Sequence, residues 1–237
     1  MTSTRVARTL TARPREMLAT LLTLASAPSF TPSPFLPPLL VFENGSAVES
    51  AAAWREQRAE VSRLAQETFL GTLPAAPPPP LLRHTVLNTT SAGDGVSCTF
   101  LELTFDTSAG GAGVAEVSFP LEIIAPTDAA PRPVFMTQWN HRQWALEGVA
   151  RGYIGVVYPG SDAKDAAPAF QAAYPNASMA LILARAYVGS RTLDFVLAHW
   201  PHVIKEQVAL TGHSRNGKQS LVFAAMDERV TATVGSS

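Results

Sequence analysis

Cysteine is almost absent: the 237 residues contain one, Cys98. A lone thiol cannot close an internal disulfide, and metal sites built from four cysteines are excluded. Cys98 lies in an apolar, strand-like run and reads as a core residue. Charge is sparse and balanced, with 16% of residues charged and a net charge of -1 at pH 7. No field is present that would recruit nucleic acid or an anionic membrane. No apolar run reaches the length of a membrane span. Histidine is scarce as well, and none of the five follows His213. What the chain does have is apolar mass. Hydrophobic residues make up 46% of it, enough for the core of one substantial α/β domain.

The first residues carry Arg5, Arg8, Arg13 and Arg15, with no acid before Glu16. Met17–Leu24 is apolar, and Ala25-Ser26-Ala27 has the small residues of a cleavage site. Residues 1–27 therefore have the outline of a secretory signal peptide. An organellar transit peptide, or an amphipathic helix packed on a cytoplasmic domain, fits the same residues. Sequons at Asn44, Asn88 and Asn176 are compatible with secretion. A proline-rich linker, Pro32–Pro38, closes this extension. The reading is an N-terminal extension over 1–37 and an α/β domain over 38–237.

Ser50–Gly71 reads as a helix, with Trp54, Val61, Leu64 and Phe69 as its apolar contacts and Gly71 as its stop. Leu73-Pro74 and Pro77–Pro80 make a stiff connector, more a spacer than a ligand for a proline-binding domain. His84–Thr90, Val96–Phe105 and Val114–Pro126 read as strands joined by short turns, an antiparallel start to a sheet. From Pro133 strands alternate with helices: a strand over Pro133–Trp139, a helix over Trp144–Arg151, a strand over Tyr153–Pro159 and a long helix over Ala177–His199. A strand over Gln207–Thr211, a helix over Arg215–Asp227 and a strand over Thr231–Gly235 follow. Such alternation implies a parallel, doubly wound sheet.

The chemistry concentrates at Gln207–Gly217, QVALTGHSRNG. An apolar β-branched run ends in Gly212-His213-Ser214, and a helix-like segment follows at once. A serine at such a turn projects its hydroxyl above the sheet edge, with free helix N–H groups behind it. Glycines on both sides, Gly212 and Gly217, permit the tight fold. The spacing is G-x-S-x-x-G. An N-cap serine on a crossover helix is the alternative.

GHSRNGK, Gly212–Lys218, resembles the G-x-S-R-x-G-K nucleophile motif of glucuronoyl esterases, the fifteenth carbohydrate esterase family, and their bacterial relatives. Trp54–Arg58 through Phe69–Pro74 resembles the W-x-x-R-R … F-x-G-x-L-P helix of that group, with Gln57 in place of the first paired arginine. Ala180–Asp194 and Asp227-Glu228-Arg229 are also similar to the family, and the resemblance spans roughly residues 38 to 237. His213 stands where the fungal members usually carry cysteine, which points to the bacterial-like branch. The resemblance implies an α/β-hydrolase fold, a three-layer sandwich. It implies Ser214 as the nucleophile on an ester carbonyl and Arg215 as an aid to the oxyanion, partly through its backbone N–H. Lys218 would grip sugar hydroxyls or the acid side of the substrate. No metal or organic cofactor is implied, and the partner is a small-molecule or polysaccharide ester. A second oxyanion donor is expected after the third strand of an α/β-hydrolase sheet. Here that loop is Trp139-Asn140-His141-Arg142, and Asn140 and His141 are the candidates to line the site. Local satisfaction of those loop polars is the alternative.

A serine hydroxyl needs a base, and in α/β-hydrolases the acid and histidine follow the serine. No histidine and no recognisable triad acid follow Ser214 in the sequence up to Ser237, so the expectation is a domain cut short after the strand that follows the nucleophile helix. His141 is the one upstream histidine placed to face the site. Two readings compete with a uronate esterase: an α/β-hydrolase acting on another ester, and an inactive module that binds carbohydrate or protein.

Overall fold

The computed structural model describes residues 38–93 and 95–236. The signal-like segment 1–27 and the start of the proline-rich linker lie outside the described residues. Leu40–Ser237 forms one compact unit.

Helix α1, Ala51–Ala65, starts at Ser50, whose hydroxyl accepts from the Ala53 N–H, an ordinary N-cap. It runs on as a π-helical turn, Gln66–Leu70, and stops at Gly71 with φ +73°. A side chain at Gly71 would also meet the Ser178 carbonyl oxygen at 1.8 Å, so the stop is a close approach as well as a turn. The expected apolar contacts of this helix are not its buried face. Trp54, Val61 and Phe69 are exposed, and the buried residue of α1 is Gln57, whose amide donates to the Val41 carbonyl. The helix is tied down by polar contacts instead: Arg58 to the Ala225 carbonyl and to Glu228, and the Ser62 hydroxyl to the Met226 sulfur.

Strands β1 (Leu81–Ser91), β2 (Val96–Asp106) and β3 (Glu116–Pro126) form an antiparallel meander. Then come β4 (Arg132–Gln138), α2 (Arg142–Val149), β5 (Ile154–Tyr158) and a short hairpin of β6 (Gly160–Ser161) and β7 (Lys164–Asp165). The chain continues through α3 (Ala167–Ala173), α4 (Leu181–His199), β8 (Val203–His213), α5 (Arg215–Met226) and β9 (Ala232–Ser236). The seven-stranded sheet has the order β1-β2-β3-β5-β4-β8-β9. The pair β3–β5 is antiparallel, whereas β5–β4, β4–β8 and β8–β9 are parallel.

Successive residues of β3 face opposite layers. Leu121 and Ile123 join the larger core with Phe170 of α3, Leu183 and Val188 of α4 and Phe223 of α5. Ile124 faces α2, packing with Cys98, Ala145, Val149 and Val157. All five residues of β5 are buried, as a parallel strand covered on both faces requires. The fold is the expected α/β-hydrolase sandwich. Cys98 is in its core, and burial, with Glu122 beside it, pushes its thiol up from the ordinary value.

Several elements depart from the sequence reading. The long helix begins at Leu181, not Ala177, because residues 177–180 are pinned to the segment after α1. Ala180 N–H donates to Leu70, and Ser178 exchanges hydrogen bonds with Thr72. Strand β8 begins at Val203, not Gln207. Arg132 pairs with Val203 but Val134 with Val208, so exposed Lys205, Glu206 and Gln207 ride a bulge that hides the strand from a hydrophobicity pattern. Helix α3 and the β6–β7 hairpin lie where the sequence offered no periodicity.

Candidate active site

In a sheet of this type, ligands bind beyond the carboxyl ends of the parallel strands. Four chain segments converge there: the turn after β4, the hairpin after β5, the β8–α5 turn and the end of β9. Ser214 is the single residue between β8 and α5. Its backbone has φ +56° and ψ -123°, a conformation that costs a non-glycine residue of order 1–3 kcal/mol. The turn is held by the Ser214 N–H donating to the Ser236 carbonyl at 2.8 Å and by the Lys218 N–H donating to the Ser214 carbonyl at 3.1 Å. The hydroxyl makes no capping hydrogen bond to the helix, and Ser214 is exposed. The glycines are sterically required. A Cβ at Gly212 would meet the Asn216 carbonyl oxygen at 2.4 Å, and one at Gly217 the Ser236 carbonyl oxygen at 2.3 Å.

Behind this turn lies a buried polar cluster. Gln138 Nε2 donates to the Tyr158 hydroxyl and to Ser220 Oγ, Gln219 Nε2 donates to the same hydroxyl, and Ser220 Oγ donates to the Asn216 carbonyl. Burial pushes the Tyr158 hydroxyl up to about 12, so it stays protonated and the cluster carries no charge. It links β4, β5 and α5 beneath the serine.

The structure puts Arg215 and Lys218 on the exposed first turn of α5. Arg215 Nη2 donates to Asp162 Oδ2 of the hairpin. Asp162 Oδ1 accepts from Arg185 Nη2, and Arg185 Nε donates to Asp165. Hydrogen bonding to Arg185 is the main reason the Asp162 carboxyl sits below its ordinary value, with Arg215 reinforcing it. Lys218 makes no side-chain hydrogen bond among the described residues. Asn140 is used locally: its Oδ1 accepts from the Ser161 hydroxyl and the Ala163 N–H, and its N–H donates to Ser161 Oγ. His141 lies against the turn itself. Its Nε2 is 3.4 Å from the His213 backbone nitrogen and 3.2 Å from Asn216 Nδ2, and its ring stacks on Trp144. His213, also exposed, points its Nδ1 at Ser236 Oγ, 3.1 Å away.

The candidate residues of the motif and of the β4 loop are thus brought to one end of the sheet. The sequence reading missed Asp162, Arg185 and Asn216. The run Tyr158-Pro159-Gly160-Ser161-Asp162 directly after a buried strand was the available signal for Asp162. Arg185, in the middle of an apolar helix yet only 4% exposed, had none. A separate groove of about 610 Å³ runs along β8 and β9 beside α2, lined by Phe135, Trp144, Thr211, Val234 and Ser236 among others; Ser214 does not line it. Among the described residues no cluster of three histidines, cysteines or carboxylates could hold a metal ion. No helix among them is long and apolar enough to cross a membrane.

Residues 110–237 match the family described as "Glucuronyl esterase, fungi". Over 215 residues the chain is 26% identical to a 4-O-methyl-glucuronoyl methylesterase of Cerrena unicolor, covering 84% of this chain and 41% of that protein. A glucuronoyl esterase structure from Solibacter usitatus superposes with a TM-score of 0.65 at 20% identity, covering 86% of this chain and 64% of the other. A mutant glucuronoyl esterase from Sporotrichum thermophile, solved in complex with methyl 4-O-methyl-β-D-glucopyranuronate, superposes with a TM-score of 0.55 at 18% identity, covering 82% and 50%. The chain therefore spans about two fifths of the curated relative and one half to two thirds of these solved chains.

Proposed function

We propose, since the chain belongs to the glucuronyl esterase family, that the protein hydrolyses carboxylic esters of a uronic acid with Ser214 as the nucleophile. The observation that carries this reading is the Ser214 turn: a strained serine at the carboxyl end of a parallel strand, its hydroxyl not used to cap the helix behind it.

Ser214 Oγ would add to the ester carbonyl. The oxyanion formed needs preorganised donors, and the Arg215 N–H at the start of α5 supplies one beside the growing charge. The Arg215 guanidinium, steered by Asp162, adds a cation at the same edge. Lys218, one turn further on, is placed to donate to sugar hydroxyls or to the acid portion. The alcohol leaves with the proton taken from Ser214, giving an acyl-enzyme that water hydrolyses. The uronate ester is the substrate class borne by the relatives' names: the Cerrena unicolor protein is a 4-O-methyl-glucuronoyl methylesterase.

The test is turnover of benzyl glucuronate and of a simple phenyl acetate by the protein isolated from its native source, each against Ser214→Ala. The reading expects the glucuronate ester to be hydrolysed with the higher kcat/KM and both activities to vanish in the variant. Acetate turnover exceeding that of the glucuronate would assign the site to another ester. Turnover that survives Ser214→Ala would remove the serine from the mechanism.

A further inference from the structure

The surroundings of His141 give it a definite task. Its Nε2 faces the His213 backbone N–H at 3.4 Å and Asn216 Nδ2 at 3.2 Å. A backbone N–H can only donate, so Nε2 must be the unprotonated nitrogen and Nδ1 must carry the proton. That assignment also orients the Asn216 amide with its NH2 group toward the ring. The imidazole stacks on Trp144 with centroids 4.5 Å apart and planes 12° from parallel. The loop carrying it is anchored from below: Arg142 Nε and Nη2 both donate to Glu122, whose side chain is fully buried on β3.

We propose that His141 is a positioning residue: as a neutral imidazole it holds the residues on both sides of Ser214, His213 before and Asn216 after, and so keeps the strained turn closed. Ser214 cannot relax out of its positive φ without moving one of these neighbours, and both are tied to the same nitrogen. A proton on Nε2 would set a donor against two donors and open the clamp.

The groups facing the ring are few. The end of β8 presents His213, α5 presents the uncharged Asn216, and α2 presents Trp144. Arg142 is turned away onto Glu122, Asp162 is held by Arg215 and Arg185, and Lys164 of the hairpin lies over the Trp139 ring. The end of β9 presents the Ser236 hydroxyl, which contacts His213. Burial first, then the neighbouring His213, pushes the His141 ring below its ordinary 6.5. A group neutral in the fold and titrating near 6.5 when unfolded contributes fully above that value and loses its contribution as the pH falls through the lowered one.

The inference concerns the turn and not the substrate, so its test does not depend on esterase activity. Protein labelled with ¹⁵N is titrated from about pH 8 to about pH 5, following the ring nitrogens of His141 and His213 as separate signals together with the His213 amide and the Asn216 side-chain amide. The expected result is Nδ1–H and bare Nε2 at the alkaline end, with the His213 and Asn216 amides shifting together on the His141 midpoint, below 6.5. In His141→Phe, which keeps a ring on Trp144 but offers no acceptor, that coupled step is lost. Nε2 bearing the proton at the alkaline end would overturn the proposal. So would a His141 titration that leaves both amides unmoved. Should His141→Phe not fold, His141→Gln, whose Oε1 accepts without titrating, is expected to fold with no coupled step; a persistent step would count against the clamp.

Discussion

Arg215 and Asp162 are joined by a charge-assisted hydrogen bond, guanidinium Nη2 to carboxylate Oδ2, across 53 residues of sequence. The other carboxylate oxygen is held by buried Arg185, so the cation beside the serine is aimed from inside the fold. A long arginine side chain left free samples many rotamers; this one is referenced to α4 through a single carboxylate.

Asp162→Asn tests that link. In the esterase reading, kcat/KM on a uronate ester should fall about 10-fold. Stability at neutral pH should change little, since Asp162 is half exposed and solvent screens the pair. Because its carboxyl sits below the ordinary 3.8, its stabilising effect is complete above that value and lost as pH falls through the depressed one. Urea unfolding of variant and wild type should therefore converge in strong acid. An unchanged kcat/KM would detach the aim of Arg215 from catalysis.

Ser214→Gly should stabilise the protein. The serine sits at φ +56° and ψ -123°, where glycine has no Cβ to crowd the backbone. We expect the unfolding free energy to rise by about 1 kcal/mol against Ser214→Ala, the variant that keeps the strain. Denaturant melts of the two variants read this difference directly. A glycine variant no more stable than the alanine would mean that the turn stores no strain.

These expectations draw unequally on sequence and structure. The Ser214 turn was legible because its signals are local: β-branched strand, two glycines and a helix within about a dozen residues. The antiparallel-then-parallel sheet was legible from short turns giving way to strand–helix alternation. The tether from Arg185 through Asp162 to Arg215 was not, because it joins three elements with no shared periodicity. Gln57 on the buried side of α1 misled for the same reason. Its place is set by the Val41 carbonyl, and a hydrophobic pattern assigns a glutamine to solvent. Polar contacts over long separations leave little trace in a single sequence.

Gly217→Ala should be costly despite a helical position that favours alanine. The added methyl would meet the Ser236 carbonyl oxygen at 2.3 Å and that of Gly212 at 3.0 Å. Backbone on both sides cannot swing away as a side chain can. We expect a loss of about 1–3 kcal/mol in denaturant unfolding. A neutral result would show that β9 and α5 separate easily at the turn.

Arg142 and Glu122 should behave as a unit. Glu122 is fully buried and Arg142 is its bidentate partner, so Arg142→Met strands a charge and should cost about 3–5 kcal/mol. Adding Glu122→Leu should recover much of that loss, because no charge is then left in the core. A double-mutant cycle by urea unfolding measures the coupling. Additive losses would mean that the pair is not what fixes the loop beneath His141.

In the esterase reading, Ser214 forms the covalent intermediate. Its most direct test is a fluorophosphonate reaction on the protein isolated from its native source, followed by peptide mapping of the adduct. A single phosphonyl group on the peptide carrying Ser214, absent from Ser214→Ala, is the predicted result. An adduct on another residue, or ester turnover that continues after complete modification, would contradict it.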